Sequence, residues 1–138
     1  MAKTTRVLID THVFLWIFLE PHRIPETVKR FIQNKTEIEI LFSYISSWEI
    51  SIKYGSNKLS IPEPPDEFVP ERVAKAGFTH LPILLAHVLG VHKLPPFHKD
   101  PFDRLLISQA KAEKIPILTV DPRFAVYDIE TISFLDLN

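Results

Sequence analysis

The chain has no cysteine. That excludes disulfides and thiolate metal sites. It has only three glycines, Gly55, Gly77 and Gly90, in 138 residues. Neither a phosphate-binding Walker loop nor a dinucleotide-binding G-x-G-x-x-G turn can be built from them. Charge of one sign is also missing, with 16 Lys and Arg against 17 Asp and Glu and a net charge of -1. Any contact with nucleic acid must therefore come from a local patch. No apolar run is long enough to span a bilayer. The opening MAKTTRVLID has no long apolar core and no small-residue cleavage site, so no signal peptide is expected. These absences together predict a cytoplasmic protein with no membrane contact.

What is present fits a single domain over residues 1–138. A chain of this length buries about two-thirds of its unfolded surface, enough for a core without covalent staples. Short aliphatic runs alternate with helical patterns. Arg6 to Ile9, Glu39 to Phe42, the FTHLPI stretch, PILTV and one more short run near the end read as strands. Helices are expected after Asp10, from Pro25, over ISSWEISIKYG, after the proline-rich 62–70 segment, over LLAHVLGVH and over PFDRLLISQAKAEK. Strand and helix in alternation predict an α/β domain around a largely parallel sheet.

Asp10 stands in the middle of the apolar run VLIDTHVFLW. An unpaired carboxylate there is costly. Glu49, Asp100, Asp103 and Asp121 sit at comparable junctions between elements. Each has a structural explanation. Asp10 is a suitable helix N-cap. Ser46-Ser47-Trp48-Glu49 matches a capping box. Asp100 precedes a first-turn proline, Asp103 suits a helix dipole, and Asp121-Pro122 suits a turn. Asp10 and Asp121, however, both follow apolar strands directly, and open α/β sheets bind ligands beyond the carboxyl ends of their strands. We therefore expect Asp10, Glu49, Asp103 and Asp121 to form one acidic cluster, with Asp100 kept as a cap.

Four carboxylates in one pocket need protons or a cation, since two charges 4 Å apart cost about 4 kcal/mol at an effective dielectric of 20. The ligands on offer are hard oxygens, which select Mg²⁺ or Mn²⁺ over zinc. Hydrolysis of phosphodiesters is the chemistry that follows. The six histidines are scattered and form no H-E-x-x-H site. An aspartyl-phosphate phosphatase usually has a second Asp two residues after its nucleophile, where this chain has His12. Lys53, Arg104 and His98 lie near the acids and are expected to contact substrate. Trp48 is expected in the core from the Ile45, Trp48, Ile52 spacing.

LIDTHVFLW, SSWEISIKYGSNKL, LPPFHKDPFDRLLISQA and ILTVDPRFAVY, in that order, resemble the PIN domain, and more narrowly the VapC-type toxins of bacterial type II toxin–antitoxin pairs. The resemblance runs from about residue 6 to the C-terminus. It implies a three-layer sandwich with a five-stranded, mainly parallel sheet flanked by helices. It places Asp10, Glu49, Asp103 and Asp121 on the four acidic positions of the family's active site, both as metal ligands and as catalytic groups. Asp103 is preferred to Asp100 because the family's third acid precedes a helix with a small-residue pattern, here DRLLISQA, in which Ser108 replaces the commoner alanine. Thr11, Thr119 and Asp100 would orient or support the acids. The resemblance further implies a Mg²⁺- or Mn²⁺-dependent endoribonuclease acting on RNA, a homodimer, and an antitoxin partner. The alternatives are a silent PIN-like RNA- or protein-binding module and a DNA-directed metal nuclease.

Overall fold

The computed structural model describes residues 4–138. The first three residues of MAKTTRVLID, and of the domain expected over 1–138, lie outside that range. Five strands form one sheet: β1 (Thr5–Ile9), β2 (Ile38–Ser43), β3 (Thr79–Leu81), β4 (Ile117–Leu118) and β5 (Thr131–Ile132), in the order β3-β2-β1-β4-β5. All four neighbouring pairs are parallel. Six α-helices connect them: α1 (Thr11–Leu19), α2 (Glu26–Gln33), α3 (Tyr44–Gly55), α4 (Pro65–Ala76), α5 (Leu85–Leu89) and α6 (Pro101–Glu113). The expected PIN-like three-layer sandwich is what is found. Among the described residues, no helix is long and apolar enough to cross a membrane.

The central strands are aliphatic without alternation because both faces of the sheet are covered. Val7, Ile9, Ile40 and Phe42 point into one core with Val13 and Phe14 of α1, Val28 of α2 and Phe68 and Val73 of α4. Leu8, Leu41 and Ile117 point into the other, with Ile45 of α3 and Leu105, Leu106 and Ala110 of α6. The Phe14 and Phe42 rings lie 4.0 Å apart between centroids, a contact worth about 1 kcal/mol beyond its buried area.

The strand order creates the site. The chain moves outward from β1 to β2 and β3, then returns to the other side of β1 as β4. The gap between β1 and β4 is therefore a switch point, the place where open sheets bind ligands. Ile9 is in register with Leu118, so the next residues, Asp10 and Thr119, emerge side by side. Gly77 ends α4 with φ of 70°, a left-handed cap that suits glycine. Gly90 packs so close to α6 that a Cβ there would meet Ser108 Oγ at 2.7 Å. Ser108 itself donates to the His87 carbonyl at 2.6 Å. The serine therefore ties α6 to the end of α5.

Candidate metal centre

Asp10 occupies the N-cap position of α1, yet its side chain makes no capping hydrogen bond. Thr119 Oγ1 instead donates to its Oδ2 at 2.8 Å, and the same hydroxyl accepts the Asp121 N–H at 3.0 Å. One threonine thus orients the first acid and fixes the backbone of the last. Asp10 Oδ1 is buried and has no partner. Burial pushes the Asp10 carboxyl up, and the charges of Glu49 and Asp121 add to this against the pull of Thr119 and His12.

Glu49 does not close a capping box. The N-cap of α3 is Ser43, whose hydroxyl accepts the Ile45 N–H. Helix α3 therefore starts before Ser46, and Glu49 falls in its second turn, where it is buried. Its Oε2 takes the Lys53 ammonium at 2.5 Å, and its Oε1 is buried without a partner. Lys53 loses some proton affinity to burial but gains more from Glu49, and ends above its usual range. Thr11 does not orient an acid as expected. Its hydroxyl donates to Ser46 Oγ at 2.7 Å and pins α1 to α3. Ser46 has no sequence signal beyond its place in the SSWE stretch.

Asp100 is the cap of α6. Its Oδ1 accepts the N–H groups of Phe102 and Asp103, which leaves the Asp103 side chain free of capping duty. Asp103 is buried. Desolvation, then the charges of Asp10, Asp100, Glu49 and Asp121, push its carboxyl up to about 8. Asp121 is the opposite case. Burial raises it, but hydrogen bonds from the Arg123 side chain and backbone outweigh that and hold it below the usual carboxylate range.

The structure thus brings Asp10, Glu49, Asp103 and Asp121 into mutual electrostatic reach. Ligand atoms of Asp103, Asp121 and His98 all lie within 4.8 Å of one another. The fit to a divalent cation rests on two observations. Asp10 Oδ1 and Glu49 Oε1 are buried and unsatisfied, and such atoms call for a partner. Burial first, and then its neighbours' charge, push the Asp103 carboxyl well above the usual carboxylate range. A hard cation resolves both, and the oxygen-rich donor set suits one.

One expected substrate contact is corrected. Arg104 points away from the acids and donates to the carbonyls of Val91, Leu94, Pro95 and His98. It is spent on folding the 91–98 segment, whose first residues form a short 3-10 turn closed by the Leu94 N–H on the Val91 carbonyl. His98 is 2% exposed and lies against the acids. Tyr127 was not anticipated. Its hydroxyl accepts the His98 N–H at 2.7 Å and donates to the Pro95 carbonyl. Trp48 is corrected in the other direction. It is 49% exposed, with its ring edge-on to Phe102 at 4.8 Å. A cavity of about 220 Å³ is lined by Glu49 and Glu20, by Thr11, His12, Lys53 and Lys58, and by apolar side chains.

The chain matches the PIN domain family over residues 7–130. Ribonuclease VapC16 of Mycobacterium tuberculosis is 37% identical to it over 73 residues, which are 49% of this chain and 52% of that protein. The alignment thus spans about half the length of that curated relative. Among solved structures, VapBC2 from Rickettsia felis bound to a DNA fragment from their promoter superposes with a TM-score of 0.72 at 14% identity, covering 94% of this chain and 98% of that one. A toxin-antitoxin complex from Klebsiella pneumoniae superposes with a TM-score of 0.60 at 13% identity, covering 93% and 97%. At these identities the likeness is one of fold.

Proposed function

From the premise that this chain belongs to the PIN domain family, we propose that it is a Mg²⁺- or Mn²⁺-dependent endoribonuclease and the toxin of a toxin–antitoxin pair. The observation that carries the reading is the pair of buried, unpartnered oxygens, Asp10 Oδ1 and Glu49 Oε1, whose carboxylates couple electrostatically to an Asp103 carboxyl pushed up to about 8. A stable fold has no use for such a cluster unless a cation joins it.

Asp10, Glu49, Asp103 and Asp121 are the residues that would hold the metal. When bound, a divalent cation acidifies a water and offsets charge on the phosphate and the departing oxygen. The chain does the rest by placement. Thr119 fixes the rotamer of Asp10 so that Oδ1 is the free oxygen. Lys53 holds Oε2 of Glu49 and leaves Oε1 free. Arg123 keeps Asp121 anionic. Lys58 lines the cavity beside Glu49 and offers positive charge to a phosphate backbone, and the His12 ring lines it too. The overall reaction adds water across one P–O bond and releases a phosphate end and a hydroxyl end.

An antitoxin that covers the acidic groove, a homodimeric assembly and a cytoplasmic location belong to the same reading. Its support is the family membership and the fold shared with toxin–antitoxin complexes. The test is cleavage of a mixed RNA pool and of single-stranded DNA by purified protein, with Mg²⁺, with Mn²⁺ and with EDTA. Asp10→Asn is run alongside. Metal-dependent cutting of RNA that drops about a hundredfold or more in the variant is the expected result. The variant should also melt a few degrees higher in EDTA, since it removes a buried charge from the cluster. Cutting confined to DNA favours the DNA nuclease. Cation binding without cutting of either favours the silent binding module.

A further inference from the structure

His98 sits where a metal ligand is easily imagined, yet its hydrogen bonds say otherwise. The Asp100 N–H donates to its Nδ1 at 3.2 Å. A backbone N–H cannot meet another N–H, so Nδ1 carries the lone pair and Nε2 carries the proton. Nε2 lies 2.9 Å from Asp103 Oδ2 and 3.4 Å from Asp121 Oδ2. Neither contact is aligned well enough to count as a complete hydrogen bond, and Nε2 ranks as a buried nitrogen without a dedicated partner. A lone pair aimed at the anionic Asp121 would be repelled by it. A single N–H between the two acids attracts both.

The ring has little freedom to turn over. The His98 N–H is held by Tyr127, its carbonyl by Arg104, and its ring packs on Phe124 with centroids 5.8 Å apart. We propose that His98 is a positioning residue for the metal site and not one of its ligands: its Nε2–H lies between Asp103 and Asp121, in contact with both, and keeps a nitrogen lone pair out of the donor set. Two consequences follow. The two acids that contact it are held together before the cation arrives, which lowers the cost of assembling the site. The donor set stays all-oxygen, which denies zinc and nickel the imidazole that would favour them over magnesium. This inference rests on the reading of the four acids as a cation site.

The test uses the full chain labelled with ¹⁵N. Long-range ¹H–¹⁵N correlations report the tautomer of each histidine, and the signal missing from His98→Gln identifies His98. The expected result is Nε2–H in metal-free protein, unchanged on adding Mg²⁺ or Zn²⁺. Calorimetric titration with Mg²⁺ supplies the second readout. The amide nitrogen of glutamine reaches about as far as imidazole Nε2, so His98→Gln should bind within threefold of the wild type. His98→Leu should bind tenfold or more weakly. An Nδ1–H tautomer, loss of the Nε2 proton on adding metal, or a zinc affinity that collapses in His98→Gln overturns the proposal. If the leucine variant does not fold, the tautomer and the glutamine variant still decide. A wild type that takes up no divalent cation overturns the metal-site reading itself. The tautomer result then stands as a separate fact about how His98 meets the two acids.

Discussion

Removing the charge of Asp103 should stabilise the metal-free protein, and the gain should grow with pH. In the folded chain the Asp103 carboxyl is pushed up to about 8, against 3.8 for the free group. Between these values the unfolded chain has released the proton and the folded chain has kept it. Unfolding then releases a proton, so Asp103 makes stability fall as pH rises through this window and flatten above about pH 8. Each pH step covered is worth about 1.4 kcal/mol, which sets a ceiling of about 6 kcal/mol. Coulomb's law gives a check. Asp121 stays ionised throughout, and its ligand oxygen lies within 4.8 Å of that of Asp103. Two full charges at that distance cost about 3.5 kcal/mol at an effective dielectric of 20. Some relaxation and water entry will spread the acids apart, so we expect about 2–3 kcal/mol.

The assay is urea unfolding of wild type and Asp103→Asn in EDTA at pH 5, 6, 7 and 8. Asparagine fills the same space and can still accept from His98. The wild type should lose about 2–3 kcal/mol relative to the variant between pH 5 and 8. Saturating Mg²⁺ should restore the wild type, by about 2.7 kcal/mol at a hundred times its dissociation constant, and leave the variant nearly unmoved. Parallel pH profiles for the two proteins would refute the reasoning, and so would a wild type that gains stability relative to the variant as pH rises.

Arg104→Lys should cost about 2–4 kcal/mol in urea unfolding. A single ammonium cannot serve the four backbone carbonyls that the guanidinium reaches. A loss under about 0.5 kcal/mol would mean that the 91–98 loop holds its shape without it. Lys58→Ala should leave stability unchanged and weaken RNA binding. Its slope of log affinity against log salt should be shallower by about 0.7, as for one phosphate contact on a single strand. An unchanged slope would place the RNA path away from the cavity beside Glu49.

The order of strands and helices was legible because each aliphatic run and each helix start carries its own local signal. The adjacency of β1 and β4 was not written locally. The rule that ligands gather beyond strand ends suggests a shared site without saying which strands are neighbours, and it is the parallel register of Ile9 with Leu118 that sets them side by side. Trp48 shows where periodicity fails. Helix α3 is apolar on more than one side, so a spacing of 45, 48 and 52 does not identify the inner face. The buried stripe is Ile45, Ser46, Glu49 and Ile50, because the helix must turn Glu49 toward the sheet edge. Trp48, with Tyr44 and Ile52, is left outside. His98 shows a second failure. A histidine in a proline-rich polar loop reads as solvated. It is buried because Arg104 and Tyr127, six and 29 residues away, fold that loop onto α6, and no window around His98 contains both.

The basic residues teach the same lesson with a consequence for binding. Lys53, Arg104 and Arg123 all lie near the acids in sequence. Lys53 is paired with Glu49, Arg123 with Asp121, and Arg104 with backbone carbonyls. None of the three is left with its full charge for a phosphate. The chain as a whole carries -1, and the site concentrates four acids. An RNA phosphate approaching the metal-free cluster therefore meets net repulsion, relieved only by side chains at the rim such as Lys58. On the proposed reading the cation would serve to bind substrate as well as to cleave it, and RNA affinity should rise with Mg²⁺ even in a variant too slow to cut.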